Sequence, residues 1–275
     1  YAFGLAAPLL SGFAIWAGLS WRAAVLCGAL VGIGIALWFR KLPIIEHSDV
    51  TAAPTGAEPP ARKSAHLPPA FWAYWGLLFI GCGLEFCILF WAPAFLERVI
   101  GFDPALAATA AAGFPLGVLA ARIALRLLVG RVALARLMIA ALACVFAGFL
   151  VYWGAGYFLG GGELGIAPAA ILGILILGLG IGPLYPLTTD FAIGAVAPEI
   201  PGARDRASMR MAIAFGLSLL LAPIALGALA DEIGLGPAHL ALPVLILAGY
   251  GCFCAGRACE RRAQKRRYLG HGSGA

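Results

Sequence analysis

PAFWAYWGLLFIGCGLEFCILFWAPAF, residues 69–95, carries one carboxylate, Glu85, and no basic side chain. At 1.5 Å per residue a helix of this length covers about 40 Å, enough to cross a hydrocarbon core of about 30 Å. Seven further runs share its character: roughly 1–18, 22–39, 104–129, 133–158, 165–192, 208–230 and 237–257. None alternates apolar and polar residues over short stretches, which argues against a transmembrane β-barrel. Helices are the remaining structure that satisfies its own backbone in lipid. Composition agrees: of 275 residues 62% are hydrophobic and 12% charged, with mean hydropathy +0.95. A soluble domain carries about 25% charged residues. The expected fold class is an all-α integral membrane protein with eight transmembrane helices.

The formal net charge of +6 invites a nucleic-acid reading, but its distribution argues against one. If the first span runs from inside to outside, the inside connections hold seventeen of the 19 Lys and Arg, leaving Arg22 and Arg98 outside. That asymmetry is a positive-inside signal. It places the C-terminus in the cytoplasm and makes the basic tail a topology signal in contact with lipid headgroups. The Ala- and Arg-rich, Lys-poor composition points to a bacterial protein, hence a multi-pass protein of the inner (plasma) membrane.

Tyr1 already lies in an apolar run, without an initiator Met, basic n-region or cleavage site, so the chain is expected to continue upstream. Residues 41–68 form the one long polar connection. Pro54, Pro59, Pro60 and Pro68 punctuate it and Arg62 and Lys63 charge it, as in a linker. The expected domains are 1–40 with two helices, the linker 41–68, a six-helix bundle 69–257 and a basic tail 258–275. Asp103-Pro104 reads as a helix start, with the aspartate as N-cap and the proline in the first turn. Ala2-Phe3-Gly4-Leu5, followed by Pro8, recurs as Ala214-Phe215-Gly216-Leu217, followed by Pro223, which suggests a duplicated half. The seven cysteines form no CxxC pair and read as small buried hydrophobes. No metal site is expected, since no two of His47, His66, His239 and His271 have ligand spacing, and no cofactor is implied.

The order of local patterns carries a resemblance. Gly4–Gly12 (GLAAPLLSG) is similar to a degenerate glycine-proline signature, with Ala7 and Ser11 where glycines are usual. Leu19-Ser20-Trp21-Arg22 resembles a short Trp-Arg turn. Gly117–Arg136 (GVLAARIALRLLVGRVALAR) resembles an inside loop with Gly130-Arg131 and Arg136 as its basic elements, although the usual aspartate is absent. Leu177–Pro186 (LGLGIGPLYP) is similar to a glycine- and proline-rich span. In this order they resemble the major facilitator superfamily of transporters, 12-helix type, lacking its first four helices. The resemblance implies spans five and six of one bundle, a complete second bundle and a midplane cavity exposed alternately to each side. Gly178, Gly180 and Gly182 are not a dinucleotide loop, which needs a soluble strand–turn–helix; close helix packing explains them better.

Glu85 lies sixteen residues from the start of its run and ten from the end, near mid-membrane. A charged acid there costs about 2.5–3.5 kcal/mol on insertion scales. It therefore faces a cavity or a partner, or takes a proton, and is the expected proton or substrate residue; a structural hydrogen-bonding role is the alternative. Some sugar-type and drug-type members of the family also carry an acid in this span. The resemblance puts Tyr185, Thr188, Thr189 and Trp91 on cavity-lining spans, Trp91 serving alternatively as an interfacial anchor. Arg122, Arg126 and Arg131 against Asp190 form a candidate cytoplasmic gate. The expected partners are a small organic solute, sugar-like or drug-like, protons and membrane lipids, with no nucleic acid, for a protein that is monomeric at full length. The expected function is secondary, proton-coupled transport without catalysis, the absence of a Walker motif arguing against a primary pump. A non-transporting remnant, or a membrane enzyme acting on lipid-linked substrates, are the alternatives.

Overall fold

In a computed structural model, residues 16, 21–39, 66–158, 163–196 and 202–272 are described. They form ten α-helices: α1 (Trp21–Phe39), α2 (Pro69–Phe95), α3 (Pro104–Ala111), α4 (Gly113–Leu128), α5 (Leu134–Phe158), α6 (Glu163–Ile181), α7 (Leu184–Gly194), α8 (Ala203–Ile233), α9 (Leu235–Ala238) and α10 (Ala241–Gly272). No β-strand occurs among these residues. Six helical segments are long and apolar enough to cross a membrane: Pro69–Ile100, Pro104–Leu128, Leu134–Tyr157, Ile166–Gly194, Ala203–Ile233 and Leu235–Arg266. The chain is therefore a multi-pass helical membrane protein. The expected span 1–18 (Trp16 apart), Gly4–Gly12, Leu19-Ser20 and the linker up to residue 65 lie outside the described residues. The second expected span coincides with α1, whose first two residues are Trp21 and Arg22.

Boundaries follow local chemistry. The Asp103 carboxylate accepts from the backbone N–H groups of Ala105 (3.0 Å) and Leu106 (3.1 Å), and Pro104 fills the first position of α3, where its missing donor leaves nothing unsatisfied. The span begun there is broken at Ala112. The Arg-rich stretch Gly117–Arg136 is helix on both sides of a short turn, as the runs 104–129 and 133–158 imply: α4 runs to Leu128 and residues 129–133 turn, with Gly130 at φ 87°. The last span is helical from Ala241, and its helix continues through the basic residues to Gly272. His239 caps the short α9, fully buried against Phe95 with ring centroids 4.6 Å apart.

Two packing groups build the bundle. Helix α6 lies between α4 and α5 and meets both through glycine. A Cβ on Gly178 would strike the Phe114 carbonyl of α4, and one on Gly180 would strike the Val145 amide of α5. Gly182 sits against Val118 and Ala121 of α4. Lipid tails are as apolar as leucine, so helices in a bilayer gain from backbone proximity and van der Waals contact rather than from apolarity. The expectation of close packing at these three glycines is met. Around α2 lie α7, α8 and α10. Residues Gly81–Ile88 of α2 are all buried, so this helix is enclosed on every side at mid-span. Glu85 is at the centre of that stretch.

Candidate functional site

The site forms where α2 passes the break between α6 and α7. Leu177–Pro186 (LGLGIGPLYP) causes the break. Pro186 has no N–H, so the Gly182 carbonyl, four residues earlier, lacks its helical donor. Arg122 of α4 reaches it, Nε–H donating at 3.4 Å. Beyond the break α7 restarts with Pro186 in its first turn, and its inner face presents Leu184, Leu187, Thr188 and Phe191 to the bundle. Leu184 packs on Gly81 of α2, where a Cβ would lie 3.7 Å from Leu184 Cβ.

Helices α2 and α7 run antiparallel, since Tyr74 stacks on Phe191 as Gly81 meets Leu184. Glu85 (6% exposed) and Tyr185 line a narrow crevice with Leu77, Leu78, Gly81, Cys82 and Leu184, and Thr188 lines its other end. Three of the four proposed solute and proton residues thus line one crevice. The crevice is closed, with no room for a solute in this state. The Thr188 hydroxyl is buried without a hydrogen-bond partner, as is that of its neighbour Thr189. Tyr185 is 38% exposed, and its ring stands edge-on to Phe215 of α8 at 5.9 Å. Phe86 meets the same Phe215 ring at 5.4 Å, so an aromatic surface flanks the acid. Ser218 of α8 is buried beside this surface, its hydroxyl donating to the Phe215 carbonyl at 2.8 Å.

Trp91 lies elsewhere. Its Nε1–H donates to the Pro223 carbonyl at 3.0 Å and its ring covers Gly227, closing the α2–α8 contact. The gate residues do not gather. Asp190, Arg126 and Arg131 are exposed, and among the described residues no ion pair joins Asp190 to either arginine. Arg122 sits six residues before the end of α4, about 9 Å inside it, beside Gly182. Phe86, Phe215 and Ser218 were not singled out by the sequence reading, because two Phe and one Ser in apolar runs carry no local signal. Phe215 belongs to the Ala214–Leu217 echo, which was read as a repeat and not as a site.

A model of the Major Facilitator Superfamily matches residues 2–223. The chain belongs to the Major Facilitator Superfamily. Among solved structures it is similar to a bacterial homolog of the human lysosomal transporter Spinster, captured inward-facing and unoccupied, at 16% identity and TM-score 0.49. That likeness covers 91% of this chain and 63% of the other, so the chain spans less than two thirds of that protein's length. No curated protein matches it. Membership accounts for the six apolar spans and assigns the crevice to a superfamily of membrane proteins; the role of each side chain rests on the geometry above.

Proposed function

We propose that this protein is a secondary active transporter moving a small organic solute by alternating access, with Glu85 taking up and releasing the coupling proton. The observation that carries this reading is a buried carboxylate at mid-span, in a crevice shared with Tyr185 and Thr188. A carboxylate held away from water is stabilised by protonation or by a cation, so its proton occupancy responds to whichever side the crevice opens toward. Tyr185 and Phe215 offer flat surface to a solute and Thr188 and Thr189 offer hydroxyls. The Arg-rich helix ends face the cytoplasm of a bacterial inner membrane, supported by the one-sided placement of Lys and Arg. Exposed Asp190, Arg126 and Arg131 act at that face as charges that bias opening, each exposed contact contributing about 0–1 kcal/mol.

The test is solute uptake into proteoliposomes holding the full gene product, with and without an inward-acid pH gradient. Wild type is expected to accumulate solute only with the gradient. Glu85→Gln is expected to lose accumulation while keeping gradient-independent exchange. Gradient-driven accumulation unchanged by the substitution would remove Glu85 from coupling.

A further inference from the structure

Resting on the reading of Glu85 as proton carrier, we infer that the solute is an organic anion with an aromatic or flat apolar body, and that its charged group is received by Arg122. The argument starts from position. Arg122 is well inside α4, half-buried, and its guanidinium is tied to the Gly182 carbonyl that Pro186 leaves without a donor. Gly182 is two residues from Leu184, which packs on Gly81, one turn before Glu85. Helices α2 and α7 run antiparallel, so the step back from Leu184 to Gly182 leads in the same direction as the step from Gly81 to Glu85. A permanent cation and a titratable acid therefore lie near one level of the bundle, the acid in the crevice and the cation at the α6–α7 break beside it.

The two differ in one respect that fixes the solute's sign. A guanidinium keeps its charge at every accessible pH, whereas a carboxylate can be neutralised. Whatever else the guanidinium touches, protonating Glu85 removes negative potential from its surroundings. An anion entering then meets a more positive site. By linkage, the proton raises the anion's affinity and the anion raises the proton's by the same factor, typically 5–150-fold for coupled sites. One proton with one monoanion loads the site without net charge. The facing titratable and charged groups are Arg122 from α4, Tyr185 from α7 and Cys82 on α2 itself. Helix α8 contributes the Ser218 hydroxyl, and the Cys252 thiol of α10 meets α2 at Gly76, more than two turns away. The rings of Tyr185, Phe215 and Phe86 beside the acid supply the surface for the solute's flat body.

Equilibrium binding of three probes of fixed charge to the full gene product in detergent tests this: benzenesulfonate, phenyltrimethylammonium and benzyl alcohol. None titrates, so any pH dependence belongs to the protein. Benzenesulfonate is expected to bind best, tightening at least about 5-fold from mildly alkaline to mildly acidic buffer, with one proton taken up per anion. Glu85→Gln is expected to hold the tight affinity at every pH. Arg122→Gln keeps a donor for Gly182, so the fold persists (checked by thermal unfolding), but anion binding falls at least tenfold and Arg122→Lys restores part of it. A preference for phenyltrimethylammonium, or no benzenesulfonate binding in acidic buffer, overturns the anion assignment and leaves proton-coupled transport standing. Benzenesulfonate binding that is pH-independent in wild type overturns it together with the role of Glu85.

Discussion

At the scale of single residues, Thr188 and Trp91 separate binding from packing. The Thr188 hydroxyl is buried and unpartnered, so replacing it with a methyl removes a desolvated group and leaves its shape. Thr188→Val should leave thermal stability within about 0.5 kcal/mol of wild type or raise it, while the KM for solute rises several-fold. Unchanged kinetics would make Thr188 a filler. Trp91 should behave in the opposite way. Trp91→Phe loses the bond to the Pro223 carbonyl and should cost about 1 kcal/mol in detergent unfolding, with KM unaltered. Glu85 was legible in the sequence because a lone acid amid apolar residues has to be explained by its surroundings. Arg122 was legible as a residue but not in depth: counting arginines toward one face ignores how far along a helix each one sits. Its neighbour Pro186 held the missing clue, since the carbonyl it leaves unsatisfied calls for a donor.

At the scale of elements, the contacts of α6 are the most demanding. Gly178 and Gly180 turn its two faces to α4 and α5, Gly182 just past its end meets α4, and Gly173 and Gly148 bring α6 and α5 backbones together elsewhere along the same interface. A side chain there must push a helix, because the atoms met are backbone atoms rather than flexible ends. Gly180→Val should destabilise the protein by at least about 1–3 kcal/mol, read as a lower unfolding temperature in detergent. Gly216→Ala, with nothing within 4 Å of its new Cβ, should be neutral or slightly stabilising. Equal effects would show that α6 packs differently. Helix starts such as Asp103-Pro104 were readable because caps act locally. The turn after α4 was readable as the gap between the runs 104–129 and 133–158, whereas the break of the first of these at Ala112 was not, because it depends on partners far away in sequence. The continuation of α10 to Gly272 was hidden for another reason: hydropathy falls at residue 257 although helix propensity does not.

At the scale of the whole molecule, class was the most legible feature, since six segments that satisfy length and apolarity leave few architectures open. Which spans adjoin was not readable from periodicity. Helix α2 is enclosed by neighbours at mid-span, so its pattern lacks the one-sided stripe that would point to a partner. Enclosure gives the crevice its meaning: a closed site around an acid serves transport only if it opens to water on each side in turn. Tyr185, at the border between the crevice and the exposed aromatic surface, reports that opening. With the seven native cysteines replaced by Ala or Ser, Tyr185→Cys should be modified by a membrane-impermeant maleimide added to right-side-out vesicles, and equally by the same reagent added to inverted vesicles. Labelling from one side only, at every pH and under either direction of the proton gradient, would contradict alternating access at this crevice.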